Sequence, residues 1–154
     1  MLFFYELFHN QVLWAAILSW FIAQSLKVIF VLITEKRFDF HRFVGSGGMP
    51  SSHSSFVTSL AVMIGFDCGF DSAMFAVCVV LALIVMYDAA GVRRAAGKQA
   101  SILNQIVEHW NDESPEIQGE RLKELLGHTP FEVIAGAILG IAVAVALHIC
   151  TIFG

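Results

Sequence analysis

The stretch Ser72–Ala90, SAMFAVCVVLALIVMYDAA, decides what kind of protein this is. Asp88 is its only charged residue, and the run contains the chain's long series of Val, Leu and Ile residues. A helix that crosses a bilayer needs about 20 predominantly apolar residues. The run therefore predicts a membrane-spanning helix rather than a core helix of a soluble protein.

Three further runs have the same apolar character. Gln11–Ile33 and Phe131–Ile152 are of full length, whereas Pro50–Phe66 is shorter and polar at its start. The turn Asp67–Asp71 contains Gly69 and is short enough to join two of the helices as an antiparallel hairpin. The sequence thus predicts an all-α membrane protein, a bundle of about four transmembrane helices in which residues 1–154 form a single domain.

The composition agrees with a membrane protein. Hydrophobic residues make up 57% of the chain and charged residues 14%, with a mean hydropathy of +0.73. Soluble domains usually contain about 45–50% apolar and about 25% charged residues. The net charge of -4 argues against a nucleic-acid partner. The three cysteines lack metal-type spacing, so we expect reduced thiols, and neither a cofactor nor a metal ion is expected.

The only sizeable polar stretch between predicted spans is Gly91–Pro130. Within it, Ala95–Trp110 places apolar residues at helical spacing and predicts an amphipathic helix. Glu116–Leu126 could form a second short helix that ends at Gly127. Such helices could lie along the membrane interface or pack as a cap on the bundle. The sequence favours neither arrangement over the other.

Basic residues are confined to one side of the predicted bundle. Four spans place the two termini and the 67–71 turn on one side, and the 34–49 loop and the 91–130 segment on the other. Eight of the nine Lys and Arg residues fall in those two polar segments, and the ninth, Lys27, is inside a span. The eight are Lys36, Arg37, Arg42, Arg93, Arg94, Lys98, Arg121 and Lys123. Because cytoplasmic loops carry the excess of Lys and Arg, the polar segments are predicted to face the cytoplasm.

A glycine-rich loop that runs into a helix is the first motif with chemical content. It reads Gly45-Ser46-Gly47-Gly48-Met49-Pro50-Ser51-Ser52-His53-Ser54. Pro50 is expected at the first helical position, where proline is well tolerated. Backbone N–H groups at a helix start attract anions, and Ser51, Ser52 and His53 add further donors. This motif predicts a phosphate site, although the serines and the proline would also fit an ordinary capped helix.

Two more motifs fall on the same predicted side. Tyr87–Arg94 ends a span with the pair Arg93 and Arg94, which could serve as interfacial anchors or as anion ligands. Gly127–Glu132 opens the last span and places His128 and Glu132 four residues apart, on one helical face. A histidine held by a carboxylate is typical of nucleophilic and general-base catalysis. An ordinary structural pair would have the same spacing.

The first span contributes Gln24 and Lys27, which are three residues apart and share a face. A lysine there could extend its ammonium group outward to the interface or contact an anion bound nearby. The topology brings all the motifs to one membrane face, and this convergence favours a functional site over scattered structural residues. Asp88 could form an ion pair with one of the arginines.

These residues carry a resemblance to a known superfamily. Pro50-Ser51-Ser52-His53 resembles the Pro-Ser-Gly-His motif of the type-2 phosphatidic acid phosphatase and vanadium haloperoxidase superfamily, which is membrane-integral in its lipid phosphatases. His128-x-x-x-Glu132 resembles its final His-x-x-x-Asp motif. The strings GGMPSSHS, DAAGVRRAAGKQA and GHTPFEV are most similar to the divergent small bacterial and plant branch. The resemblance covers roughly residues 24–140.

The resemblance implies a lipid phosphate phosphatase with a phosphohistidine mechanism. His128 would attack phosphorus, Glu132 would hold and activate it, and His53 would protonate the leaving alcohol. The phosphoryl oxygens would be bound by Lys27, Arg42, Ser51, Ser52 and Arg93 or Arg94, with Gln24 and Asp88 as possible supporting residues. Lys36 is an alternative to Lys27. Compared with the superfamily pattern, Ser52 replaces glycine, Glu132 replaces aspartate, and more than 30 residues separate the arginines from His128.

Other functions remain open from the sequence. The chain could be a catalytically inactive membrane module that binds lipid headgroups or takes part in assembly. A transporter is disfavoured because the ionisable groups gather at one end of the spans. A divalent metal bound by His53, His128, Asp88 and Glu132 would match no metal-site spacing. The expected partners are a lipid phosphate substrate and the bilayer, with a possible homo-oligomer through the face of Gly136 and Gly140.

Overall fold

The computed structural model describes residues 1–35, 48–113 and 127–153, and within them it contains helices and no strand. The helices are α1 (Leu2–Phe8), α2 (Gln11–Glu35), α3 (Ser52–Cys68), α4 (Ala73–Ala90), α5 (Val92–Glu113) and α6 (Pro130–Phe153). The short α1 was not predicted from the sequence. The predicted helix over 116–126 and the loop residues 36–47 lie outside the described residues.

Three apolar segments among the described residues are long enough to cross a membrane. They are Gln11–Ile33, Ala73–Val107 and Pro130–Ile152, and the second includes α4 and much of α5. Large apolar side chains such as Phe21, Ile84 and Ile138 are exposed on the outside of these helices. Exposed apolar surface on a helix bundle is suited to contact with lipid. The predicted all-α membrane bundle is confirmed.

The central helix of the bundle is α3, which contacts α2, α4 and α6. It is shorter than the three apolar segments, and its 17 residues rise about 26 Å, close to the thickness of the hydrocarbon core. Its buried residues include four serines and a threonine: Ser52, Ser54, Ser55, Thr58 and Ser59. Small polar residues allow close helix approach and can form hydrogen bonds between helices inside a membrane. The chain therefore places its most polar span where protein, and not lipid, surrounds it.

The start of α3 differs from the prediction by two residues. The helix begins at Ser52, not at Pro50, and Ser51 is its N-cap. The Ser51 hydroxyl accepts a hydrogen bond from the Ser54 N–H at 3.4 Å, as serine commonly does in this position. At the other end, Gly69 has φ 95°, and Ser72 caps α4 by accepting from the Phe75 N–H at 3.1 Å. The tight hairpin predicted at residues 67–71 is confirmed.

Buried hydroxyls connect α3 to the long helices α2 and α6. The Ser19 hydroxyl of α2 donates to the Ser55 carbonyl at 3.1 Å, and the Ser55 hydroxyl donates to the Ser19 carbonyl at 3.2 Å. The Thr58 hydroxyl bonds to the Ser54 carbonyl at 2.7 Å and reaches the Ala137 carbonyl of α6 at 3.3 Å. These bonds satisfy polar groups that would be costly to leave unpaired in an apolar environment.

At Gly136 and Gly140, α6 lies too close to α3 and its N-cap to leave room for a side chain. A Cβ atom on Gly136 would overlap the Ser51 carbonyl, and one on Gly140 would overlap the Thr58 hydroxyl and the Ser55 carbonyl. Both glycines are buried. The homo-oligomer remains a prediction, but the glycine face that it was expected to use is already filled by α3 of the same chain.

Candidate functional site

Backbone contacts draw the three sequence motifs to one end of the bundle. The His128 N–H donates to the Ala89 carbonyl at the end of α4, at 3.1 Å. The Ser51 N–H donates to the Glu132 carbonyl in the first turn of α6, at 3.0 Å. The beginnings of α3 and α6 therefore lie beside the end of α4, which is the convergence that the topology predicts.

His128 is held by Glu132. Its Nδ1 atom lies 3.0 Å from Oε2 of Glu132, and the imidazole is 2% exposed. The same carboxylate oxygen accepts the Thr129 N–H at 3.0 Å, and the Thr129 hydroxyl accepts the Glu132 N–H at 3.3 Å. This reciprocal pair is a capping box, which satisfies two backbone donors at the helix start. Glu132 therefore caps α6 and orients His128 with one oxygen.

His53 lies next to His128. The centroids of the two rings are 6.2 Å apart, and the rings meet at 64°. His53 is the second residue of α3 and is half-buried, whereas His128 precedes α6. Two imidazoles from different helices thus meet where the helix starts converge. At this separation both rings can reach one small group placed between them.

Lys27 supplies a buried positive charge at the same place. It is 3% exposed, and its Nζ atom donates to the Ser52 hydroxyl at 3.1 Å. The ammonium is also near enough to Glu132 for their opposite charges to interact. Gln24, one turn earlier on α2, is 4% exposed. Lysine is rarely buried within an apolar span unless it has partners or a function there.

The first turn of α3 points the positive end of its dipole at this cluster. Helix N-termini leave backbone N–H groups without partners inside the helix, and this makes them suitable anion sites. Ser51 and Ser52 are both buried there, and the Ser54 hydroxyl donates to Ser51 Oγ at 3.0 Å. The arrangement combines two imidazoles, one ammonium, hydroxyls and a helix N-terminus. It is suited to binding a phosphoryl group and to moving protons near it.

The structure describes the remaining predicted site residues in less detail. Asp88 is half-buried near the end of α4. Arg93 and Arg94 belong to the first turn of α5, which directly follows α4, but their side chains lie outside the described part of the structure. Arg42 also lies outside it. Within the described ranges, no group of three His, Cys, Asp or Glu side chains is placed to hold a metal ion.

A comparison with family sequence models identifies the chain. The model of the divergent PAP2 family matches residues 8–143. The chain belongs to the divergent PAP2 family. The match includes all the candidate site residues, so the resemblance inferred from the three motifs is confirmed.

Other comparisons place this divergent PAP2 protein among membrane proteins. It is 38% identical over 152 residues to the uncharacterized membrane protein YuiD of Bacillus subtilis (strain 168), and the match covers 92% of this chain and 96% of that protein. No solved structure gives a significant match. With its apolar helices, this relationship makes the chain an integral membrane protein.

Two contacts of the candidate site were not anticipated. Thr129-x-x-Glu132 is the sequence signature of a capping box and could have been read from the chain. The Ala89 carbonyl that fixes the His128 backbone has no such signal, because any residue type supplies a carbonyl at that point. The interhelical partners of Ser19 and Ser55 likewise have no signal in the local sequence.

Proposed function

We propose that this protein is a membrane-embedded phosphatase that hydrolyses a lipid phosphate monoester through a phosphohistidine intermediate. The observation that carries the proposal is the buried His128 imidazole, which Glu132 holds through Nδ1 beside the ring of His53. Membership of the divergent PAP2 family adds support, because that name refers to phosphatidic acid phosphatases.

The first chemical step transfers the phosphoryl group to His128. With Nδ1–H donating to the Glu132 carboxylate, the lone pair of Nε2 attacks phosphorus. A P–N bond forms, and the P–O bond to the lipid alcohol breaks. His53 in its protonated form gives its proton to the leaving oxygen. Glu132 stabilises the positive charge that develops on His128, as a carboxylate does for a catalytic imidazole.

The second step regenerates the enzyme. Neutral His53 takes a proton from a water molecule, whose oxygen attacks phosphorus. The P–N bond breaks, its electron pair returns to Nε2, and inorganic phosphate leaves. His53 is protonated again and ready for the next cycle. One residue thus serves first as general acid and then as general base.

The phosphoryl oxygens are bound by fixed positive groups. The proposed ligands are Lys27, the Ser51 and Ser52 hydroxyls, the first N–H groups of α3, and, from the sequence motifs, Arg42 with Arg93 or Arg94. Gln24 and Asp88 support these ligands. A phosphoryl transition state is stabilised mainly by positioning and by such preorganised charge. The Lys27–Ser52 hydrogen bond would place the ammonium before substrate arrives.

The site is assigned to the cytoplasmic face. Five Lys and Arg residues (Lys36, Arg37, Lys98, Arg121 and Lys123) remain on the motif side after the proposed phosphate ligands are set aside, and none lies on the other side. The excess of basic residues in short loops sets orientation. A lipid phosphate of the inner leaflet is therefore the expected substrate, such as a phosphatidate or phosphatidylglycerophosphate type.

The test is phosphate release from a panel of lipid phosphates by the purified protein in detergent. We expect turnover with at least one lipid, and a loss of several orders of magnitude in His128→Ala and in His53→Ala. His9→Ala, a change at the exposed histidine that directly follows α1, serves as the matched control and should retain full activity. Saturable lipid binding without turnover would instead support a headgroup-binding module. Normal turnover by His128→Ala would end the phosphohistidine proposal.

A further inference from the structure

The polar and apolar faces of α5 are arranged in the opposite way from those of a helix that packs on the core of a soluble protein. The residues turned toward the protein are small or polar: Gly97 and Asn104 are buried, and Ser101 is half-buried. The opposite face carries Ile102 and Ile106, which are 57% and 49% exposed. Amphipathic helices of soluble proteins turn their apolar stripe inward. In α5 the apolar stripe faces outward.

This outward stripe continues the exposed surface of α4. Gly91 alone separates the two helices; its N–H donates to the Tyr87 carbonyl and its carbonyl accepts the Ala95 N–H, both at 2.9 Å. Ile84 and Tyr87 at the end of α4 are strongly exposed, and so is Val92 at the start of α5. The apolar surface of a membrane span therefore runs on into α5.

The length of α4 indicates the depth in the bilayer at which α5 begins. Its 18 residues rise about 27 Å, which nearly crosses the hydrocarbon core of about 30 Å. The first two turns of α5 then carry Arg93, Arg94 and Lys98, and basic residues of this kind collect at the membrane surface. A helix with one apolar and one polar face is stable at that depth, in the plane between headgroups and acyl chains.

We propose that α5 is an interfacial helix whose outward face, made of Val92, Ile102, Leu103 and Ile106, is embedded in the bilayer at the end where the candidate site lies. The bilayer is favoured over a second protein copy because the outward face of α5 is joined to the lipid-facing surface of α4. The exposed residues Val92, Ala95 and Ala96 link the two, and Gln99 is the one polar residue on this face among the described side chains. Of the two arrangements that the sequence leaves open, an interfacial helix and a cap on the bundle, this proposal selects the interfacial helix. It does not depend on the phosphatase proposal.

The test uses spin labels on the full-length protein in vesicles of phosphatidylethanolamine and phosphatidylglycerol. Single cysteines are placed along α5, from position 98 to position 106, in a background with Cys68, Cys78 and Cys150 replaced. Accessibility to oxygen and to a water-soluble nickel chelate is then measured by power saturation. Labels at Ile84 and Asp71 give the lipid and water references, because one lies on a span and the other is exposed in a turn.

We expect labels at Ile102, Leu103 and Ile106 to show oxygen-to-nickel ratios near that of the Ile84 reference, with a helical period along α5. Nickel accessibility like that at Asp71 would overturn the proposal, because the face would then be in water. Spin–spin broadening that depends on the protein-to-lipid ratio would also overturn it and would indicate a second copy.

A second measurement keeps the three native cysteines, so it remains possible if their replacement unfolds the protein. Trp is introduced at Leu103 in a protein whose three native tryptophans are replaced by Phe. Lipids brominated near the top of the acyl chain should quench its fluorescence severalfold more than lipids brominated near the chain end. Fluorescence that no brominated lipid quenches would contradict the proposal.

Discussion

One carboxylate oxygen of Glu132 serves both the His128 side chain and the helix that carries Glu132. Oε2 lies 3.0 Å from Nδ1 of His128 and 3.0 Å from the backbone nitrogen of Thr129. Orientation of the imidazole and capping of α6 therefore depend on the same atom. Two substitutions can separate the contributions. Glutamine also functions at the Glu132 position of a capping box, and the Thr129 hydroxyl acts on the backbone by accepting the Glu132 N–H at 3.3 Å.

The first prediction is that Glu132→Gln inactivates without unfolding. The amide can still accept the Thr129 N–H, but it cannot stabilise a charged imidazole, so phosphate release should fall by about 100-fold or more. The melting temperature in detergent should change little. The matched change is Thr129→Ala, which should cost about 1 kcal/mol of stability through the lost cap while most activity remains. Equal losses of activity in both variants would contradict this division of roles.

The second prediction concerns the charge of Lys27. Lys27→Met keeps the length of the side chain and removes the ammonium that bonds to Ser52, so kcat/KM should fall by about 100-fold. Lys98→Met is the matched control, since Lys98 is an exposed lysine on α5. Both variants should remain folded by circular dichroism. An undiminished kcat/KM for Lys27→Met would remove the lysine from the phosphate site.

The third prediction distinguishes a phosphohistidine reaction that needs no metal ion from a reaction that depends on bound Mg²⁺. Activity should persist after dialysis against a chelator, and vanadate or tungstate should inhibit it competitively, because these oxyanions imitate the five-coordinate phosphorus at His128. Phosphate release with and without added Mg²⁺ provides the measurement. Activity that is lost to the chelator and restored by Mg²⁺ would assign metal binding to the carboxylates.

The fourth prediction is that Gly140→Ala destabilises the bundle. The added methyl group would collide with Thr58 and the Ser55 carbonyl, and overpacking of this kind costs about 1–3 kcal/mol. Ala146→Val on the exposed face of α6 is the control and should leave the melting temperature almost unchanged. If Gly140→Ala weakened a dimer but left the thermal stability of the monomer intact, the contact with α3 would not be the important one.

The fifth prediction is that both termini lie outside the cell. In the background without Cys68, Cys78 and Cys150, a cysteine at Gly154 should react with an impermeant maleimide in intact cells. A cysteine at Glu113 should react only after the membrane is opened. The opposite pattern would reverse the orientation and remove the argument for an inner-leaflet substrate, while leaving the site geometry unaffected.

The fold and the proximity of the motifs in the candidate site could be predicted because both depend on local patterns. Apolar runs as long as Gln11–Ile33 have few alternatives to a membrane helix, and the i, i+4 spacing of His128 and Glu132 on a helix start brings them together. The Ser19–Ser55 pair could not be predicted, since the two residues are 36 positions apart and helix periodicity does not specify which faces meet. The start of α3 was misplaced because proline and serine are both frequent at helix starts, and only the hydrogen bonds to Ser51 distinguish them.

The polar character of α3 has a consequence for biogenesis. A helix with five buried Ser and Thr residues gains little from entering lipid alone, and the interhelical hydrogen bonds of Ser55 and Thr58 form only when α2 and α6 are present. We therefore expect α3 to be retained in the membrane together with its neighbours and not as an independent segment during synthesis. A nascent chain that stops before Pro130 would lack the Ala137 carbonyl and the glycine contacts of α6. We therefore expect assembly of this bundle to be completed by its last helix, which His128 precedes by two residues.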